Sequence, residues 1–460
     1  MHAPRFPHAP SHGFISVPSG VLTYSSELVL EARAQWLRFL SWLNAPFMSA
    51  GIVALAYIAF VALRLYAHGG DLSAFVYAGD HFANPAQVPA GLHVVPNSWG
   101  YDGQYYYALS LNPFTAKGRF AGLWIDNPPY RQQRILYPLA VWVLSLGGKA
   151  SLVPALLVLV NVAAVIVLAW VGAVYAVSIG RHALWGLLPA LYPGFVLALA
   201  RDLPDALAVV LFAGSLVLVM RGRGGWASAC LTLAVLTRET TVLVACAAAL
   251  VLLAQWIGRG VIWAYAVIWA HTRQVTPEPM RTPRTVRLSL PGLLRPGKPI
   301  AIRIPWHYAL VPPVALAAWQ YVLRLRWHRV PALTGTGNVA APLIGIKSRL
   351  QQLVFSGPDT YARVMSVETL FLLGIALIVA LALWWSRAPW VIRVAWAATV
   401  ALGIIAGPIV WGEDWGFLRT LADFFVLGAL ILVASAAWFR WVVLAGTVGM
   451  WCLLALTRFV

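Results

Sequence analysis

The sequence predicts an all-α polytopic transmembrane helix bundle of about eleven spans (range about 10–13) with a long first loop outside the membrane. Three observations carry this. Residues of hydrophobic type make up 61% of the chain and charged ones only 10%, where soluble domains carry about 25% charged. Mean hydropathy is +0.76. Apolar runs near the ~20-residue spanning length recur from Pro46 to the C-terminus, which suits helices rather than the short alternating strands of a barrel.

Residues 1–45 come first. MHAPRFPHAPSHGF is rich in Pro and His and reads as disordered, without the apolar core and cleavage site of a signal peptide. Residues 26–40 (SELVLEARAQWLRFL) alternate apolar and charged positions at helical spacing, an expected interfacial helix. The remainder, 46–460, is expected to be one transmembrane domain. Its spans fall at about 46–66, 152–178, 184–200, 204–220, 226–237, 240–258, 306–324, 366–385, 391–410, 420–437 and 441–457. With the N-terminus cytoplasmic, the short basic connections at 179–183, 221–225 and 386–390 all fall inside, as the positive-inside rule asks. The 67–151 and 327–365 segments then become exofacial loops. In the first, ILYPLAVWVLSLG is too short to cross and is expected as a juxtamembrane helix. The 271–305 segment is Pro-rich and basic, a cytoplasmic linker drawn to anionic lipid.

The net charge of +18 does not indicate nucleic-acid binding, because the basic residues are scattered between spans rather than gathered on one face. The three cysteines lie inside apolar runs and form no disulfide or zinc pattern, and the ten histidines form no HExxH. No cofactor is expected, with a divalent metal left open.

Charges near lipid are costly and mark functional sites by default. Asp102 lies in NSWGYDGQYYYALSLNPF among Trp99, Tyr101, Tyr105, Tyr106 and Tyr107. It reads either as a helix N-cap or as a general base that deprotonates an acceptor hydroxyl; Tyr101, Gln104 and Tyr105 are its candidate substrate-binding neighbours. Under the same threading, Arg131, Arg134, Arg201, Asp202, Asp205, Arg238, Glu239, Glu413, Asp414 and Arg419 reach the same membrane face, which points to one polar cavity. Arg201–Asp202 and Arg238–Glu239 read as local ion pairs or as phosphate and acceptor ligands. Arg419 suits bidentate binding of a lipid phosphate, and Arg131 and Arg134 suit a phosphate or headgroup. The GTGN string at 335–338 is too short for a phosphate loop.

The strings YDGQYYYALSLNPF, YRQQRILYPL, ARDLPDALAV and LTRET resemble the C-type (GT-C) membrane glycosyltransferases, in a bacterial branch distantly similar to the GPI and dolichol-linked mannosyltransferases. The resemblance implies a polyprenyl-phosphate-linked sugar donor and an inverting transfer of a mannose-like hexose to a lipid, glycan or protein acceptor. It places the catalytic acid at Asp102 and, less directly, a second at Asp202. Lipid-linked donors are used after flipping, so the implied enzyme is multi-pass in the inner or plasma membrane with an exofacial site. A polyprenyl-lipid transporter or flippase, or a non-catalytic subunit of envelope assembly, are the alternatives. Against a transporter stand the lack of repeat halves and charges placed at one boundary rather than at the membrane centre.

Overall fold

The computed structural model describes residues 41–273, 297–335, 337–355 and 360–459. The expected disordered start, the interfacial helix at 26–40 and most of the 271–305 linker lie outside them. The chain divides into Met1–Ala45 and Pro46–Val460, and the elements below belong to the second unit.

The described residues of that unit are mainly helical, with almost no strand. In chain order the helices are α1 (Pro46–Ala67), α2 (Gly103–Leu111), α3 (Pro128–Gln132), α4 (Leu136–Leu144), α5 (Val153–Ser178), α6 (Leu187–Ala190), α7 (Pro193–Leu199), α8 (Asp205–Met220), α9 (Gly224–Thr237) and α10 (Val242–Arg273). They continue with α11 (Trp306–Trp327), α12 (Ile344–Phe355), α13 (Thr360–Ala382), α14 (Trp390–Ile405), α15 (Pro408–Trp411), α16 (Asp414–Thr420), α17 (Ala422–Val433) and α18 (Ala437–Leu454). Two small strand pairs lie in the 67–151 segment: β1 (Ala78–Gly79) with β2 (Val94–Val95), parallel, and β3 (Arg119–Phe120) with β4 (Leu123–Trp124), antiparallel.

Among the described residues, five helices are long and apolar enough to cross a membrane: Pro46–Ala67, Val153–Ser178, Glu239–Trp263, Thr360–Ala382 and Ala437–Thr457. Such helices fit a membrane-embedded chain. The expected count was eleven. Four of the other expected spans are shorter apolar helices, α8, α9, α14 and α17, and one is not a continuous helix at all. The 184–200 run breaks at Leu191–Tyr192 into α6 and α7, because Pro193 has no N–H to continue the ladder and disfavours helical backbone at the residue before it. The carbonyls freed by the break find side chains. Tyr57 Oη donates to Ala190 O at 3.2 Å and Trp451 Nε1 donates to Leu191 O at 2.7 Å, as apolar surroundings require.

α5 is the hub. Its apolar window is 67% buried, against 22% for α1, and it packs on both α1 and α8. From α8 the packing runs to α9 and α11, then through α10 and α14 to α17 and α13. A second, smaller core lies under the 67–151 segment, where Val76, Tyr105, Tyr106, Leu123 and Tyr137 meet Val153 and Leu157 of α5. This satellite core fixes α2, and with it Asp102, against the bundle.

Candidate active site

The loop before α2 is held by backbone-directed side chains. Both Asp80 carboxylate oxygens accept backbone N–H bonds, from Asn97 at 2.8 Å and Ser98 at 3.0 Å. Gln104 accepts from Gly79 N at 3.1 Å and donates to Trp99 O at 3.0 Å. Gly100 has φ +64°, and a Cβ there would press on Gly79 N, Gln104 Oε1 and Tyr77 O. Only glycine fits that turn. Gly103 starts α2 directly against the Arg201 carbonyl oxygen, which leaves no room for a side chain. The two contacts aim the 101–103 corner at the turn between α7 and α8.

Asp102 occupies the N-cap position of α2 without capping it: its backbone is helical and its side chain makes no cap hydrogen bond. The carboxylate faces two arginines instead. Arg131 Nη1 lies 2.9 Å from Oδ1, and Arg419 Nη1 lies 2.8 Å from Oδ2. Arg131 is fixed in turn by Asp126, through Nε at 2.9 Å and Nη2 at 2.8 Å, and its guanidinium lies 4.4 Å from the centroid of the Tyr105 ring. Asn127 caps α3 by accepting from Tyr130 N, which sets where Arg131 emerges. Among its described partners, Arg419 donates a hydrogen bond through Nη1 alone, and it also lines a cavity. Burial pushes the Asp102 carboxyl upward, but the Arg131 and Arg419 charges outweigh it and hold the group well below the ordinary carboxylate range.

The surrounding charges interlock across the chain. Arg134 grips Glu239 with two bonds, at 3.0 and 2.7 Å, and also reaches Tyr106 Oη and Tyr130 Oη. Arg238 pairs with Asp205 and donates to Arg419 O at 3.0 Å and Thr420 O at 3.2 Å, so a cation caps the C-terminal end of α16. Arg201 lies between two rings, 3.6 Å from the Tyr77 centroid and 4.4 Å from that of Trp415. The expected local pairs Arg201–Asp202 and Arg238–Glu239 therefore do not form: Arg238 goes to Asp205, Glu239 goes to Arg134, and each partner comes from a distant segment.

A cavity of about 330 Å³ opens beside this network, with Tyr101, Arg134, Arg238, Glu239, Glu413 and Arg419 on its wall. Gly335 and Asn338, the ends of the GTGN string set aside in the sequence, are on the same wall. Asn338 donates to Tyr130 Oη at 3.2 Å, and its carbonyl accepts from Gly407 N. A second cavity of about 220 Å³ adjoins the first and is lined by apolar side chains such as Leu372, Val400, Trp411 and Phe424. The chain neighbours Leu402 and Gly403, Val410 and Trp411, and Thr420 and Leu421 divide between the two cavities. A cavity with charged residues on its wall and an apolar cavity thus lie side by side, sharing the α14, α15 and α16–α17 segments as their common wall.

Of the twelve residues assigned from sequence, Tyr101, Arg134, Arg238, Glu239, Glu413 and Arg419 line the cavity. Asp102 contacts Arg419 on its wall, and Arg131 and Tyr105 lie behind Asp102, Arg131 pairing with it and stacking over the Tyr105 ring. Arg201 lies one ring away, against Trp415. Gln104 is buried and spends its amide on the loop backbone, so it positions Asp102 rather than offering itself to a substrate. Asp202 is not at the cavity. It has a left-handed backbone (φ 49°) that turns its side chain inward, where it is fully buried and neither carboxylate oxygen has a hydrogen-bond partner among the described residues. Burial raises it well above the ordinary carboxylate range, only partly offset by Arg64. Two acids carried no assigned role: Asp126, which fixes Arg131, and Asp205, which the sequence placed on the cavity face and which fixes Arg238. Their sequence signals were slight, an acid just before the Asn127 cap and an acid opening a helix.

Among the described residues, no group of three or more His, Cys, Asp or Glu side chains is placed to hold a metal ion. No protein-family profile, curated protein or solved structure matches this chain.

Proposed function

We propose that this protein is a membrane-embedded glycosyltransferase that moves a hexose from a polyprenyl-phosphate donor to a lipid, glycan or protein acceptor, with inversion, on the exofacial side of a cell membrane. The observation that carries the reading is Asp102, a carboxylate held between two arginines from distant segments, one of which, Arg419, lies on the wall of a cavity that has an apolar cavity next to it. A lipid phosphate needs cations and its isoprenoid needs an oily groove; a hydroxyl acceptor needs a base within reach. In this reading Arg419 meets the phosphate, the neighbouring apolar cavity takes the isoprenoid and Asp102 is the base.

In this reading the ion pairs set the order of events. With an arginine on each oxygen, Asp102 is a poor base until one arginine leaves. Arg419 is the one with donors to spare at the cavity, so the donor phosphate takes Arg419 and frees Oδ2. Arg131, pinned by Asp126, keeps Oδ1 oriented. The acceptor hydroxyl then gives its proton to Oδ2 as its oxygen bonds to the anomeric carbon from the face opposite the leaving group. The anomeric C–O bond to phosphate breaks, and polyprenyl phosphate departs with the electron pair, its negative charge met by Arg419. A phosphate is a good leaving group and needs no acid.

A lipid-phosphate carrier is the second reading, favoured by the full ion pairing of Asp102, which suits a gate as well as a masked base. Transfer by purified protein in lipid, from a panel of polyprenyl-phosphate sugars, separates them. Sugar transfer that disappears in Asp102→Asn supports the enzyme; movement of donor across the bilayer without transfer supports the carrier.

A further inference from the structure

The 67–151 segment carries a second cleft, of about 580 Å³, that the reaction described above does not use. Its walls present Phe82 and Trp124 beside Asp80, Asn84, Gln87 and Arg119. Trp124 is 47% exposed although it is a large ring in an ordered hairpin. Arg119 lies 4.9 Å from its centroid and Phe82 packs against it at 5.8 Å, so the ring is held upright at the cleft edge.

The frame is pre-formed. Asn84 N donates to Gly122 O at 2.8 Å and Trp124 N donates to Phe82 O at 2.7 Å, tying the β3–β4 hairpin to the turn that follows β1. Gly122, at φ +73°, lies so close to the Gln87–Val88 backbone that no side chain fits. Pre-formed clefts of about 300–1,000 Å³ with a few convergent polar groups are typical of ligand sites.

The chemistry of the walls selects the ligand. Asp80 only accepts hydrogen bonds and Arg119 only donates, while Asn84 and Gln87 do both. A ligand whose every polar group both donates and accepts satisfies this set. Asp80 disfavours an anion and Arg119 disfavours a cation. An upright aromatic ring adds a flat apolar face that matches the C–H face of a pyranose. The cleft also abuts the Asp102 site. Phe82 meets the Tyr105 ring edge-on at 5.7 Å, Arg131 lies over that same ring, and Arg131 holds Asp102.

We propose that this cleft binds a neutral hexose oligosaccharide, and, resting on the transferase reading, that this saccharide is the body of the acceptor glycan whose end is glycosylated at Asp102. The test needs no turnover. Saturation-transfer NMR and tryptophan fluorescence are recorded on the full chain in nanodiscs with mannotetraose, maltotetraose and cellotetraose, for wild type, Trp124→Ala and Gln87→Ala. The expected result is saturable binding of at least one tetrasaccharide, weakened about tenfold by Trp124→Ala and more mildly by Gln87→Ala, with the wild-type Tm kept in both. No binding to wild type, or binding that both variants leave unchanged, overturns the cleft. Saccharide binding that depends on Trp124 in a protein that transfers no sugar retains the cleft as a glycan site and removes the transferase reading instead.

Discussion

In the proposed reaction Asp102 is a base in restraint, and the pH behaviour of its carboxylate follows from the two guanidiniums beside it. Its folded pKa lies below the unfolded value, so its ion pairs stabilise the fold fully above the unfolded carboxylate pKa and that stability is lost as pH falls through the depressed folded one. The free enzyme governs kcat/KM. The acid limb of kcat/KM is therefore expected below the ordinary carboxylate range, and Arg419→Gln is expected to move it upward by removing one of the two charges. A limb already in the ordinary range and unmoved by the variant contradicts the restraint. Losing a hydrogen bond to a charged group costs about 1.5–3 kcal/mol, so the same variant should raise the donor KM about ten- to a hundredfold. Asp126→Asn acts differently. It touches no substrate but loosens Arg131, so kcat should fall about ten- to a hundredfold while the donor KM stays near wild type. Equal effects on both constants would assign Asp126 to binding.

At the level of elements, the Asp102 loop works because two glycines permit approaches that no other residue allows. Gly103→Ala forces a methyl group onto the Arg201 carbonyl oxygen. Overpacking of this kind costs about 1–3 kcal/mol, so a lower Tm in detergent is expected together with reduced transfer. A variant with unchanged Tm would show that the α2 start and the α7–α8 turn are not in register. The same elements show what the sequence could and could not tell. The aromatic loop around Asp102 was legible because a lone acid there has no apolar reason to exist. The long helices were legible from hydropathy. The 184–200 run read as a span because its residues are oily, while Pro189 and Pro193, in plain view, already argued for a break. The charge partners were the least legible. Adjacent residues on a turn or helix point apart, so Arg201 and Asp202, or Arg238 and Glu239, read as pairs only along the string. In space the partners of Asp102 and Arg238 come from 317 and 33 residues away, a distance that no local pattern encodes.

Across the whole molecule, the account needs Asp102, its cavity and the glycan cleft on one side of the membrane, with the basic turns on the other. Cys246 and Cys452 are exposed and must first be replaced. In that background, cysteines at Trp99 and Val339, which are 68% and 62% exposed, should label with an impermeant maleimide on intact cells. Cysteines at His182 and Arg221 should label only after permeabilisation. The reverse pattern would put the site in the cytoplasm and remove flipped lipid donors from consideration.

The most direct test of the central claim is transfer itself. Wild type and Asp102→Asn, purified into lipid and matched for folding by Tm, are given radiolabelled polyprenyl-phosphate sugars with crude envelope acceptors. Asparagine keeps the shape and one acceptor oxygen but cannot take a proton. The account predicts transfer from at least one donor by wild type and a loss of about a hundredfold or more in the variant. Equal transfer by both proteins would contradict Asp102 as the base.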